Sequence, residues 1–307
     1  MKKMRLHIGI LLGLFLVTFI LGSIFDQQLS EAIFRKDDNF GLTVSCIGTL
    51  LGYSCLALCG GVLFGLAFTR EYKITYKVLI YIGAAIGFGL GIFFAGREFF
   101  GPNGFTNESI EWLGYVIALP FMCGAGFLGY LAAKNNDSKY LLNVVIIMMV
   151  AIFLALVPGV TLLKSVFHRP RFRTLSDPLF TEITFHNWWQ RCTNYEDLMA
   201  LYNVSKEEFK SFPSGHAGAT LVLSLTAAFA PLLDKRIQKN HLVLFYSGVV
   251  ITLLVCFARI LVGAHFLSDV SMGALLTAVF AFIANEVIIF FKEKYEKKNE
   301  QQPVQEE

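Results

Sequence analysis

The sequence predicts an all-α, multi-pass transmembrane bundle of about eight spans, and three observations carry that reading. Of 307 residues, 55% are hydrophobic and only 16% are charged, against about a quarter charged in an ordinary globular domain. The mean hydropathy is +0.58. The charges gather between long apolar runs instead of spreading through them. This composition excludes a water-soluble enzyme, a disordered tail protein and a nucleic-acid binder. The net charge of +3 is too small to imply a polyanionic partner.

A helix needs about 20 apolar residues to cross the hydrocarbon core. Eight stretches meet that length, all free of charge but for Glu286 in the eighth: Ile8–Phe25, Phe40–Phe68, Val78–Gly96, Trp112–Ala133, Tyr140–Leu163, His216–Leu233, Leu242–Ala258 and Val270–Phe291. A closed β-barrel also satisfies its backbone in lipid, but it is written in alternating segments of roughly ten residues, and these runs are continuous. The first span follows a basic start, Met1 to Arg5, yet no clean small-residue cleavage site follows it, so an uncleaved anchor is expected. The second exceeds the length required, so part of it should tilt or lie in the interface. Gly83, Gly87 and Gly91 recur every fourth residue, as do Gly61 and Gly65. That spacing favours close helix–helix contact over a ligand groove. Pro158-Gly159 should kink the fifth span. Asn285 and Glu286 in the last span are expected to make a buried structural hydrogen bond.

Lys and Arg in the connections set the orientation. Fifteen lie in the N-terminus, the second, fourth and sixth loops and the tail; eleven lie on the other side, seven of them in residues 164–210. Long loops weigh little in this rule. Both termini are therefore expected in the cytoplasm of a plasma-membrane protein, with the loop 164–215 facing outward. Trp188 and Trp189 in that loop suit interfacial anchoring or a lid. Asn107-Glu108-Ser109 and Asn203-Val204-Ser205 match the glycosylation pattern, which matters only in a secretory setting. Of six cysteines only Cys192 lies in the long loop, and no metal-ligand spacing is present. The tail 292–307 is expected to be solvated.

Polar groups at a membrane boundary are costly and need a reason. Three clusters fall on the side assigned outward. From Lys164 to Arg173 there are four cations and no acid, whereas residues 168–215 balance six basic against six acidic groups. Positive charge is thus focused where the fifth span ends, as headgroup anchors or as an anion site. The second cluster, Ser211-Phe212-Pro213-Ser214-Gly215-His216, opens the sixth span. Unpaired backbone N–H groups and the helix dipole at such a start favour an anion. The third is Arg259, His265 and Asp269. Placed four apart on one helix face, Asp269 would hydrogen-bond one nitrogen of His265 and leave the other as a nucleophile or base.

In this order and spacing the clusters resemble the type 2 phosphatidic acid phosphatase superfamily, integral membrane phosphatases related to the vanadium haloperoxidases. Its motifs are K-x6-R-P, P-S-G-H and S-R-x5-H-x3-D. Here Pro213 to His216 complete the second motif. Arg259, His265 and Asp269 match the third, with Ala258 in place of its Ser. Lys164 and Arg171 fit the first, with Phe172 in place of its Pro; Arg169-Pro170 is a rival two residues early. The resemblance places a phosphatase core in residues 140–291 with its outer loop 164–215. It leaves residues 1–139 as four additional N-terminal helices and 292–307 as the tail.

The resemblance implies that His265 attacks phosphorus to form a phosphohistidine, that Asp269 orients it, and that His216 protonates the leaving oxygen and then activates water. It implies that Lys164, Arg171, Arg259, the Ser214 hydroxyl and the Gly215 amide hold the phosphoryl oxygens, with no metal and no cofactor. The expected partners are a membrane lipid phosphate, phosphatidic acid-like or polyprenyl diphosphate, and the bilayer itself, with no nucleic acid; oligomeric state is left open. A lipid-linked phosphotransferase and a non-enzymatic lipid-phosphate binding or transport protein are the alternatives.

Overall fold

The fold is known from a computed structural model, which describes residues 2–101, 104–105 and 110–300. The motif Asn107-Glu108-Ser109 and the end of the tail, residues 301–307, lie outside the described residues. The chain is helical, and eight of its helical stretches are long and apolar enough to cross a membrane. In chain order these are α1 (Met4–Ile33), α2 (Asn39–Thr69), α3 (Ile74–Arg97) and α4 (Glu111–Lys134). The fifth begins as α5 (Leu141–Leu154), passes through a π-helical segment (Ala155–Leu162) and ends in the short α6 (Leu163–Phe167). Two short helices, α7 (Phe172–Leu175) and α8 (Tyr195–Tyr202), lie in the long connection before α9 (Gly215–Leu233), α10 (His241–Leu261) and α11 (Leu267–Glu300).

Proline explains the π-helical segment. Pro158 has no N–H to continue the α-helical ladder, and its ring crowds the preceding turn. The chain answers by widening the winding over eight residues. α11 runs past the apolar part of the last span and carries the start of the charged tail as helix to Glu300.

The spans do not divide into an N-terminal set and a C-terminal set. α2, α3 and α4 pack as a triplet, but α1 leaves them and lies along α11. α2 is buried along most of its length because it also packs on α9 and α10. Its 31 residues are accommodated as a central pillar. Small residues permit these approaches. A Cβ on Gly87 would lie 2.9 Å from the Leu56 carbonyl oxygen, and one on Gly91 would lie 3.2 Å from that of Tyr53. Glycine here is a packing residue, as its spacing predicts. Facing outward, α1, α3 and α4 carry exposed Leu, Ile, Val and Phe side chains, a surface that suits lipid.

At the end away from the long connection, Arg5 of α1 makes a two-pronged pair with Glu286 of α11, at 2.8 and 2.6 Å. This accounts for the acid in the last span, which is also held by the Asn285 side chain at 3.1 Å. Near the opposite end, Gly22 of α1 meets the first turn of α11. A Cβ there would lie 2.8 Å from Ser268 Cα and 2.9 Å from the Leu267 carbonyl carbon. Gly13, on the same helix, has nothing within 4 Å. Gly22→Ala is expected to lower the melting temperature in detergent. Gly13→Ala is expected to hold or raise it, since alanine is the better helix former by up to about 1 kcal/mol. Equal effects of the two changes would contradict the tight crossing.

Candidate active site

The three polar clusters meet at the end of the bundle where α1, α3, α6 and α10 finish and α9 and α11 begin. Arg169 organises the framework beneath them. Its guanidinium has no solvent exposure and donates to Asp26 of α1 at 2.9 Å, to Asp269 of α11 at 2.6 Å, to the Ser268 hydroxyl at 2.9 Å and to the His186 carbonyl at 2.8 Å. It also lies 4.0 Å from the centre of the Phe266 ring. Buried charges persist only when paired and hydrogen-bonded. The remaining carboxylate oxygens are accordingly covered: Asp26 accepts from the Ser268 amide at 2.8 Å and from its hydroxyl. Arg169 is thereby committed to the frame, which separates it from Arg171, the arginine chosen on spacing.

Asp269 does not bind His265 directly. α11 begins at Leu267, so His265 lies in the preceding turn and the four-residue helical spacing does not apply. His265 Nδ1 is 3.9 Å from Asp269 Oδ2 but 2.6 Å from the Ser211 carbonyl oxygen. Asp269 instead accepts from the Phe266 amide at 2.8 Å, reaching back from the third helical position to cap the helix, and from the Ser211 hydroxyl at 2.5 Å. It thus acts on His265 through Ser211, a residue that the sequence marks only as the start of the second polar cluster.

This arrangement sets the chemistry of His265. A carbonyl oxygen can only accept, so Nδ1 carries the proton and Nε2 keeps a bare lone pair. Burial, reinforced by the charges of Lys164, Arg259 and Arg171, holds its pKa well below the ordinary histidine range. The imidazole is therefore neutral and unprotonated at Nε2, as a nucleophile requires.

The local chain explains why His265 stands there. α10 ends at Leu261, and Gly263 reverses the backbone at φ +64°, a conformation that favours glycine. The amides of Ala264 and His265 then return to the Arg259 carbonyl at 3.0 and 3.2 Å. Ser214 caps α9 by accepting from the Ala217 amide at 3.4 Å, and its own amide donates to the Asp269 carbonyl at 2.9 Å. Gly273 of α11 lets the two elements approach, since a Cβ there would collide with the Ser214 carbonyl. Phe172, which replaces the proline of the first motif, packs edge-on against Phe34 and Phe266. Ala258, in place of the serine, is fully buried.

His216, in the first turn of α9, has its ring centre 6.3 Å from that of His265. Lys164, Gly215, His216 and His265 line one cavity of about 690 Å³. Arg171, Arg259 and Ser214 are buried behind them, and the first two act electrostatically on both imidazoles. The cavity also receives Glu98 from the end of α3, with Oε2 at 3.2 Å from His216 Nε2. Away from the histidines its wall turns apolar. Tyr53 and Leu56 of α2 form the floor, between Ile86, Leu90 and Phe94 of α3 and Met149, Phe153 and Leu156 on the other side. Ile86 and Phe153 stand half-exposed at the margin, so this groove opens sideways.

The long connection covers the polar end and has a small core of its own, with Ile183, Cys192, Leu198 and Phe209 buried. Trp188 clasps it to α1, donating from Nε1 to the Ser23 hydroxyl at 2.8 Å and packing against Phe19 and Phe212. All six cysteines are free. Among the described residues, no group of three His, Cys, Asp or Glu side chains is placed to hold a metal ion.

Sequence reasoning missed Asp26 and Glu98. Each is an acid at the end of an apolar run, and the cost of such a charge near hydrocarbon is the signal that a partner is near.

A multi-pass membrane protein with two imidazoles and several buried cations around one cavity has the parts of a phosphoryl-transfer enzyme. Residues 140–292 match the PAP2 superfamily, and the chain belongs to it. It is thus a membrane phosphatase acting on phosphate esters. No curated protein and no solved structure gives a significant match.

The Asp26–Arg169 pair carries a prediction. Removing one partner of a buried ion pair costs about 3–5 kcal/mol. Asp26→Ala should therefore lower the detergent melting temperature and the activity together, although α1 lies outside the matched residues. Wild-type stability in this variant would show the pair to be dispensable.

Proposed function

We propose that this chain hydrolyses the phosphate of a membrane lipid through a phosphohistidine. The single observation that carries the reading is the two-part cavity: imidazoles and cations at one end and a laterally open apolar groove at the other. An amphiphile with a phosphate head fits both parts at once.

In the first step His265 Nε2 attacks phosphorus in line, and the bond to the lipid oxygen breaks. His216 gives that oxygen its proton. In the second step water attacks the phosphohistidine while His216 takes the water proton, and inorganic phosphate leaves. Lys164, Arg171 and Arg259, with the Ser214 hydroxyl and the Gly215 amide, hold the phosphoryl oxygens. Phosphoryl transfer asks mainly for such positioning and charge stabilisation. Asp269 and Ser211 keep Nε2 of His265 free for attack. The distribution of Lys and Arg supports cytoplasmic termini and a site on the extracytoplasmic face of the plasma membrane.

The test is phosphate release by the purified full-length protein from phosphatidic acid, lysophosphatidic acid and a polyprenyl diphosphate, with a water-soluble short-chain phosphate alongside. The lipid phosphates should show the lower KM. His265→Ala and His216→Ala should each lose at least about 10²-fold in kcat, the scale of general acid–base help. An acid-labile phosphoenzyme should form in the wild type and be absent from His265→Ala. Activity that persists unchanged in His265→Ala would overturn the assignment. Phosphate release only on addition of a lipid or sugar alcohol would identify a phosphotransferase instead.

The groove has its own test. Leu90→Trp should raise KM for long-chain substrates several-fold and leave the water-soluble phosphate unaffected. An equal change in both would remove the groove from substrate binding.

A further inference from the structure

α3 ends in a carboxylate where an anion site would be expected to exclude one. Glu98 is buried, and its Oε2 lies 3.2 Å from Nε2 of His216. Both atoms are buried and neither makes a hydrogen bond among the described residues, so the two face each other as a close, otherwise unpartnered pair. The other acid on the cavity wall, Glu207, is engaged by Lys210 at 2.6 Å. Glu98 is fixed in place through its backbone, since its carbonyl accepts from Cys46 Sγ of α2 at 3.2 Å. A negative charge here weakens the cradle for phosphate, so its presence calls for a role in handling protons.

We propose that Glu98 is a positioning residue for His216. It holds the imidazole by the Nε2 edge and supports the positive charge that the ring carries before it protonates the leaving oxygen and again after it accepts the water proton. This rests on the reading of His216 as acid and base. It adds to the site a residue from α3, outside the matched segment 140–292. A buried carboxylate orienting a catalytic imidazole is a recurrent arrangement in nucleophilic hydrolases. Burial raises the Glu98 carboxyl above its ordinary range, while Arg97, Arg259, Lys164 and Arg171 draw it back.

The groups that face His216 come from every side. Lys164 and Arg171 flank it from the start of the long connection, Arg259 from α10 and Arg97 from α3. His265 faces it from the turn before α11. α2 contributes Tyr53 to the same cavity. The cations outnumber the acids here, and Glu207, the other acid on the wall, is engaged by Lys210, so Glu98 is the carboxylate in contact with the ring that favours its protonated form. Its removal should make His216 lose its proton at lower pH.

The experiment compares Glu98→Gln, Glu98→Asp, His216→Ala and the Glu98→Gln/His216→Ala double variant with the wild-type full-length protein. The substrate is whichever lipid of the panel above the wild type hydrolyses fastest. Glu98→Gln should lower kcat at least tenfold without raising KM, a part of the ~10²–10⁴-fold available to acid–base help. The alkaline limb of kcat/KM should move to lower pH by about one unit or more, as expected when an opposite charge at contact is lost. Glu98→Asp, with its carboxylate one methylene short, should recover part of both effects. In the His216→Ala background Glu98→Gln should add little further loss. Wild-type kcat and an unmoved pH profile in Glu98→Gln, with His216→Ala inactive, would overturn the role of Glu98 alone. A fully active His216→Ala would bring down the underlying reading instead. Should Glu98→Gln fail to fold, Glu98→Asp carries the same readouts at smaller amplitude and decides the question.

Discussion

One buried guanidinium shapes the active end of this protein. Arg169 has no exposed surface and stands between Asp26 and Asp269. Such a charge is tolerable only where every lone pair and proton around it is satisfied. That demand brings together the end of α1, the start of α11, the first segment of the long connection and the backbone at His186. Asp269, drawn to Arg169, caps α11 and grips Ser211. Ser211 in turn fixes His265. The proposed nucleophile is therefore oriented through a relay of two contacts, and its bare nitrogen follows from the carbonyl at the end of the relay.

The additional N-terminal helices take part in this arrangement instead of decorating it. α1 contributes Asp26 and lies along α11, α2 floors the groove, and α3 delivers Glu98 and one wall. A phosphatase core cut out at residue 140 would lose half of the ion network and one side of its cavity.

Much of this architecture was legible in the chain. The eight spans are visible because lipid forbids uncompensated charge, so the intervals between charges outline the helices. The residues of the three motifs also converge at one end of the bundle, because alternate connections of a bundle must share a side. What could not be read was pairing at long range. Asp26 appeared as the charge bounding the first run, and its partner lies 143 residues away. The link between His265 and Asp269 was misjudged for a local reason: helical spacing was assumed for a histidine that precedes the helix. Ser211 was hidden because its carbonyl, which any residue could supply, makes the contact that matters. Pro158 announced a disturbance of the fifth span, but whether a helix kinks or widens depends on the neighbours it packs against.

The pairing of α1 with α11 has a consequence for biogenesis. α1, made before the other helices described here, has its chief partner in α11. Until α11 arrives, Asp26 lacks Ser268 and the companion carboxylate on Arg169, and an unsatisfied acid must be kept near water or beside the insertion machinery. Contacts that close so large a loop form late. The hydrolytic apparatus is thus assembled only once α11 has been made, so a chain that stops before α11 would reach the bilayer inert.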